Sequence, residues 1–399
     1  MLRSRRPTNA PAGQLNLRVL FALLVALQSI FAFRVIARLL RTARGIRIED
    51  VENGAPESVV SIVVPVLDEE QRLPACLGAL LAQGREVREI LIVDGGSRDR
   101  TRAIATEFAA LDGRVRLIDA PPTPPAWNGK AWNLSVGSGA SSPDSKWLLF
   151  LDADVRAHHR LVRSLVAHAE RTGVRAFSVA ARQRLSDAFE GMLHPSMLAT
   201  LVYRFGIPGN ATCDMHGVQA NGQCFFFDRA LLADGEVIAA GKDSRCEDIT
   251  MARSLAGAGT PVGFYESANL VDVSMYASWR ETIVGWPRSL PASDRYVSAW
   301  AGLSEVWLVQ ALPPLALALG MLFPAFVPRT VLILERILVA IRIATLLGMR
   351  RAYEHPPWTY WCSPLCDLPV AALVTVSAMR KRHFWRGRRL VIGESPCSA

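Results

Sequence analysis

The sequence predicts an α/β domain, built on a largely parallel sheet and held between membrane-seeking segments. Two patterns and one bulk property predict it. Short β-branched runs alternate with helix-like stretches from about Val59 to Tyr276, the rhythm of strands that cross over through helices. Apolar runs of membrane character lie on both sides of that region. The 399 residues are 50% hydrophobic, too apolar for an ordinary soluble enzyme and too polar for a transporter of many spans. The expected division is a membrane anchor with a basic flank over residues 1–48, the α/β domain over 56–300, and a membrane region with a basic tail over 301–399.

The anchor is the run VLFALLVALQSIFAF, from Val19 to Phe33, between Arg18 and Arg34. It is short for a span, and snorkelling arginines extend its reach. A secretory signal is the rival reading. No small-x-small site follows, and Arg34, Arg38, Arg41, Arg44 and Arg47 come next. The expectation is a retained anchor with these arginines on the cytoplasmic side of the inner membrane. In the C-terminal third, Val306 to Val327 and Pro356 to Met379 are long enough to span. The stretch between them carries Glu335, Arg336 and Arg342, and reads either as a third span or as an interfacial helix.

The formal net charge is +9. The arginines cluster beside apolar segments, so lipid anchoring explains the charge better than nucleic acid, for which no zinc-finger or RNP-like pattern is present. Seven cysteines with no CxxC pair suggest neither a zinc ribbon nor a disulfide framework. A reduced, cytosol-facing domain is expected.

Ligands on such sheets bind at the carboxyl ends of strands, and the acidic loops lie there. LLFLDADVR places Asp152 and Asp154 at a strand end, where two carboxylates can share a divalent ion, Mg²⁺ or Mn²⁺, with phosphates. A solvated acidic pair is the bland alternative. EILIVDGGSRDRT puts Asp94 at a strand tip before Gly95 and Gly96; it serves a nucleotide or simply a well-capped turn. VSIVVPVLDEEQRL ends a strand at Pro65, before Asp68, Glu69 and Glu70. CEDITMARSLAG sets Glu247 and Asp248 before a helix, as a cap or as a general base. PPTPPAWNGKAWN carries Lys130, one of four lysines among 41 arginines.

Taken in order, PVLDEE, DGGSRDRT, NGK, DAD and ED resemble the inverting family 2 glycosyltransferases of GT-A fold. This is a Rossmann-like nucleotide-diphospho-sugar transferase domain, here with flanking transmembrane helices. The resemblance covers roughly Val59 to Arg288. It implies that Pro65, Asp68 and Asp94 line the nucleotide site, and that Lys130 and Asp152 lie at the diphosphate. It further implies that Asp154 and Asp152 bind the metal, and that Asp248 is the catalytic base. Asn221, Gly222, Gln223, Glu247, Trp286 and Arg288 would lie on the acceptor side. Two departures stand out: Gly95 replaces the second Asp of many members, and Trp286 is followed by Pro287 and Arg288 rather than completing the QxxRW of processive synthases. AWNGKAWN, ANGQ, GW and the late FWRGRRL also resemble the membrane-associated branch linked to carotenoid and hopanoid pathways.

The expected function is therefore transfer of a sugar, with UDP-glucose as the expected donor, to a hydroxyl of a lipid-like acceptor. A polyprenyl-phosphate sugar synthase and a non-catalytic nucleotide-sugar-binding membrane protein are the alternatives.

Overall fold

The β-branched runs become strands because both faces of the sheet are covered, so nearly every residue in them is buried. The computed structural model describes residues 12–52, 56–267, 269–276, 278–290, 299–380, 383–385 and 388–390. Its first strands are β1 (Val60–Val66), β2 (Val87–Asp94), β3 (Val115–Asp119) and β4 (Trp147–Leu151), all parallel in the order β3-β2-β1-β4. There follow β5 (Val155–Ala157), β6 (Ala176–Ala180), β7 (Arg182–Gln183), β8 (Asn210–Thr212), β9 (Cys224–Asp228), β10 (Val262–Glu266) and β11 (Val271–Val273). The main sheet has eight strands and continues from β4 through β9, β6 and β10 to β8. Three short strands form a second sheet in the order β5-β11-β7, and β12 (His383–Trp385) pairs antiparallel with β13 (Arg388–Leu390).

The helices are α1 (Ala12–Thr42), α2 (Leu73–Leu81), α3 (Thr101–Leu111), α4 (Gly129–Ala140), α5 (Leu161–Thr172), α6 (Ala188–Phe205) and α7 (Glu236–Ala240). They continue with α8 (Glu247–Gly257), α9 (Trp279–Ser289), α10 (Ala299–Glu305), α11 (Leu312–Leu322), α12 (Arg329–Met349) and α13 (Asp367–Met379). Alternate residues of each strand feed two cores. Ile62, Val64 and Leu149 face one layer, while Val63, Leu148 and Phe150 face the other.

One strand departs from the expected parallel pattern and shapes everything after it. β9 pairs antiparallel with both β4 and β6. In NGQCFFFDR, only the expected acceptor-side residues Asn221, Gly222 and Gln223 form a loop. Phe225, Phe226 and Phe227 are buried, because β9 sits inside the sheet. The register Leu151↔Cys224 sets the carboxyl end of β4 beside the amino end of β9. The amide of Asp152 donates to the carbonyl of Gln223 at 3.2 Å. The two loops thus share one edge of the sheet.

Among the described residues, three helical segments are long and apolar enough to cross a membrane: Val19–Thr42, Gly302–Leu322 and Trp358–Met379. The second is shorter than the run to Val327 because the helix ends before Pro324. α12 lies between the last two and is arranged inside out. Its charged Glu335 and Arg342 are buried, while Ile333, Ile337, Ile343 and Leu347 are exposed. Glu335 accepts from Gln28 of α1 at 3.2 Å, and Arg342 binds Asp367 of α13 at 2.9 Å. Arg336, beside Ile333 and Ile337, is exposed as well, so the outer face of α12 mixes apolar side chains with a charge.

α4 carries Lys130 and lies unusually close to the sheet. A Cβ at Gly137 would stand 2.4 Å from Val63 and 2.8 Å from Val93, whereas one at Gly139 would meet nothing within 4 Å. Gly137→Ala is expected to destabilise the domain by about 1–3 kcal/mol through overpacking. Gly139→Ala should stabilise it by roughly 0.5–1 kcal/mol through helix propensity. Thermal melts of the two variants check both signs.

Candidate active site

The loops after β1 and β2 are stitched together by their own side chains. The Asp68 amide donates to Ser97 at 3.0 Å, and the Arg98 amide donates back to Asp68 at 2.8 Å. The amides of Glu69 and Glu70 donate to Thr101 at 2.8 Å and to Asp99 at 3.0 Å. Asp68 itself takes a left-handed backbone, φ 54°, so this loop is held in a shape few residues adopt unaided. Asp94 is buried, accepts from the Ser97 amide at 3.1 Å and pairs with Arg102 at 2.9 Å. Its carboxylate holds the turn that carries Gly95 and Gly96. Pro65 is partly exposed one residue from the end of β1.

Lys130 reaches the site because Asn128 fixes the start of α4. Asn128 caps the helix by accepting from the Ala131 amide at 2.7 Å, and its side-chain nitrogen donates to the carbonyls of Gly241 and Ser244 at 3.0 and 3.2 Å. The ammonium then lies 2.7 Å from Asp152 and 2.9 Å from Glu247. Burial opposes its charge, but Asp152, Glu247 and Asp248 outweigh burial and hold Lys130 well above the usual lysine range.

Asp248 opens α8 and is drawn to the same place by Gly222, whose amide donates to it at 2.6 Å. A Cβ at Gly222 would stand 2.8 Å from the Lys130 ammonium and 3.2 Å from the Asp248 carboxylate. Any larger residue would push the ammonium or the carboxylate aside. Burial, then the neighbouring Glu247, lifts Asp248 to about 7. Burial, then Asp152, lifts Asp154 to about 7 as well. One Asp154 oxygen, Oδ1, is buried with no hydrogen-bond partner. No cluster of three or more His, Cys, Asp or Glu side chains fit to hold a metal occurs among the described residues.

The geometry thus brings Lys130, Asp152, Glu247, Asp248 and Gly222 together, from β4, β9, α4 and α8. Residues 61–235 match the family described as glycosyl transferase family 2. That stretch of the α/β domain is similar to family 2 glycosyltransferases. The chain is similar to a 4,4'-diaponeurosporenoate glycosyltransferase of Staphylococcus haemolyticus, 26% identical over 248 residues, 59% of this chain and 62% of the relative. It is also similar to a PGL/p-HBAD biosynthesis glycosyltransferase of Mycobacterium bovis, 34% identical over 94 residues, 24% of this chain and 34% of the relative. The chain therefore spans less than two thirds of the length of either relative. In fold, the chain is similar to a mannosyltransferase from Pyrobaculum calidifontis, solved with GDP-Man and Mn²⁺. Their TM-score is 0.51 at 17% identity, over 90% of this chain and all of the other. The α/β sheet with this likeness is the GT-A fold.

The other expected site residues make contacts of their own. Trp286 is buried and stacks on His194 of α6, ring centroids 3.7 Å apart. It packs among α6, α9 and α13, in a cluster that also takes in Met275 and Tyr276. The side chain of Arg288 lies outside the described residues. Asn221 and Gln223 bond each other at 2.7 Å and shape the loop around Gly222. Trp127 and Trp132 pack edge to face at 5.3 Å, and Trp132 donates to the Pro121 carbonyl at 2.8 Å.

Sequence reasoning missed Asn133. Buried under the site, it donates to the carbonyls of Val66 and Val93 at 3.4 and 3.2 Å, tying the ends of β1 and β2. It also explains Gly95. A Cβ there would stand 2.8 Å from the Asn133 side-chain nitrogen, so the second Asp of other members has no room. The signal was the polar residue on the apolar face of α4.

Raised carboxylates make stability fall with pH. Asp154 and Asp248 favour the proton in the fold, so their contribution is complete below the ordinary Asp range and is lost as pH rises through about 7. With metal chelated, the melting temperature of Asp154→Asn relative to wild type should rise by on the order of a few degrees between pH 5 and pH 8. A gap that does not change with pH contradicts the assignment.

Proposed function

We propose that this chain transfers a sugar from a nucleotide-sugar donor, UDP-glucose, to a hydroxyl of a lipid-like acceptor of carotenoid or hopanoid type, with inversion. The observation that carries the proposal is Asp248, lifted to about 7, beside Lys130 and the Asp152–Asp154 pair. The motif resemblance and the diaponeurosporenoate glycosyltransferase relative support the acceptor class, and the three apolar helical segments support a pocket held at a bilayer. In this reading the domain faces the cytoplasm, where nucleotide sugars are made.

In the proposed reaction the acceptor oxygen attacks the anomeric carbon as its proton passes to Asp248. The bond from that carbon to the diphosphate oxygen breaks, and its electron pair leaves with the nucleoside diphosphate. One displacement inverts the centre and needs no covalent sugar intermediate. The Gly222 and Ile249 amides, at 2.6 and 2.8 Å, orient the carboxylate. A base near 7 is poised for proton transfer at neutral pH. Lys130, a compact cation, exchanges its contacts with Asp152 and Glu247 for the departing diphosphate. Pro65, Asp68 and Asp94 shape the nucleotide end, and Asn221, Gln223 and Glu247 the acceptor end.

A divalent cation fits the residues present. Asp154 offers an unpartnered buried oxygen, the carboxylates outnumber Lys130, and such ions take few protein ligands beside phosphates. Asp154 and Asp152 would hold Mg²⁺ or Mn²⁺, which would neutralise charge developing on the leaving group.

Asp248→Asn should lower turnover by about 10²–10⁴-fold while donor binding, measured by calorimetry, is kept. Near-normal turnover would overturn the base assignment and favour an acceptor that is already anionic, such as a polyprenyl phosphate. Lys130→Arg keeps the charge, yet the space beside Gly222 has no room for a planar fork. Donor KM should rise about tenfold or more. A neutral result makes the lysine incidental.

A further inference from the structure

Asp94 ends β2 with its side chain fully buried. One carboxylate oxygen accepts from the Ser97 amide at 3.1 Å and from the Ser97 hydroxyl. The other accepts from Arg102 at 2.9 Å. What this end of the sheet turns outward is Arg102 itself, on the first turn of α3 and 43% exposed.

Arg102 is held by one nitrogen. Its Nη1 donates to Asp94 and to Asp119, which stand opposite each other where β2 and β3 end. Among the described residues nothing accepts from the Nε–Nη2 edge. That edge offers two N–H groups in a fixed fork. Carboxylates, phosphates and base carbonyls all suit such a fork. Charge separates them. One guanidinium between two carboxylates is already a net anion, so it repels another anion and admits a neutral acceptor.

The place of Arg102 says which neutral group. The strand order is β3-β2-β1-β4, and Asp152 follows β4. Neighbouring strands lie about 4.8 Å apart, so the end of β2 is about 10 Å along the same edge from the Asp152 loop. A ribose bridges a gap of that order between a diphosphate and its base. The two places are also tied together. Asn133, one turn after Lys130 on α4, donates to the carbonyls of Val66 and Val93 at the ends of β1 and β2. Gly95 and Gly96 leave the strip beside Asp94 without side chains.

We propose that Arg102 reads the base of the nucleotide sugar, donating to the O4 carbonyl of uracil. Asp94 then acts on the nucleotide through Arg102, as its buried anchor. The assignment rests on the nucleotide-sugar reading above and adds to it the residue that selects the base. Uracil presents a carbonyl at O4 where cytosine presents an amino group. With cytosine, donor would face donor.

The test titrates the full chain in a neutral detergent with UDP and with CDP, each with Mn²⁺, by calorimetry. Wild type should bind UDP about tenfold more tightly than CDP. Arg102→Lys keeps a charge between Asp94 and Asp119, but an ammonium spent on both has no outward edge. It should bring UDP down to the level of CDP and leave CDP unchanged. Arg102→Met should do the same; if it fails to fold, Arg102→Lys decides alone. Equal wild-type affinities, a UDP preference kept in Arg102→Lys, or an equal loss for both nucleotides would overturn the assignment and leave the nucleotide-sugar reading standing. No binding of either nucleotide by wild type would overturn that reading, and the assignment with it.

Discussion

The site depends on one buried cation among carboxylates. Lys130 sits between Asp152 and Glu247, and each neighbouring feature serves that placement. Asn128 fixes the helix that carries it, Gly137 lets that helix approach the sheet, and Gly222 leaves space above the ammonium. Without Lys130 the carboxylates would face one another in a poorly solvated place, where like charges raise each other's pKa. Asp154 and Asp248 already stand near 7 with the lysine present. An arrangement so short of positive charge is suited to receive more of it, as a divalent ion or a metal-bound diphosphate brings.

The antiparallel strand β9 is the architectural means. Were it parallel, residues 221–223 would emerge at the opposite edge of the sheet. Inserted between β4 and β6, it returns the backbone of Gly222 to the tip of β4. α8 then begins at the same edge, and its first turn delivers Glu247 and Asp248. In the proposed reading, this edge of the sheet receives the nucleotide sugar.

Much of this was legible in the sequence. The strands from Val60 to Ala180 were marked by β-branched runs, and the carboxylates by their position at strand ends. Asp152, Asp154, Lys130 and Asp248 were named from motif order, and they come together. What escaped was long-range. Nothing local in NGQCFFFDR says that Phe225 to Phe227 pair in the middle of a sheet, because a buried run looks alike in either direction. The inward charges of α12 find Gln28 and Asp367 only in three dimensions. Trp286 was assigned to the acceptor side by resemblance, and its stacking on His194 is likewise a contact between distant parts of the chain.

The central claim is that this site moves a sugar onto a lipid. The most direct measurement incubates the full chain and Mn²⁺ with a panel of nucleotide sugars and a total lipid extract, and identifies products by mass spectrometry. The account predicts a new lipid carrying one hexose, formed from UDP-glucose and absent when the metal is chelated. Donor cleaved only to free sugar, or no donor consumed with any extract, would contradict it.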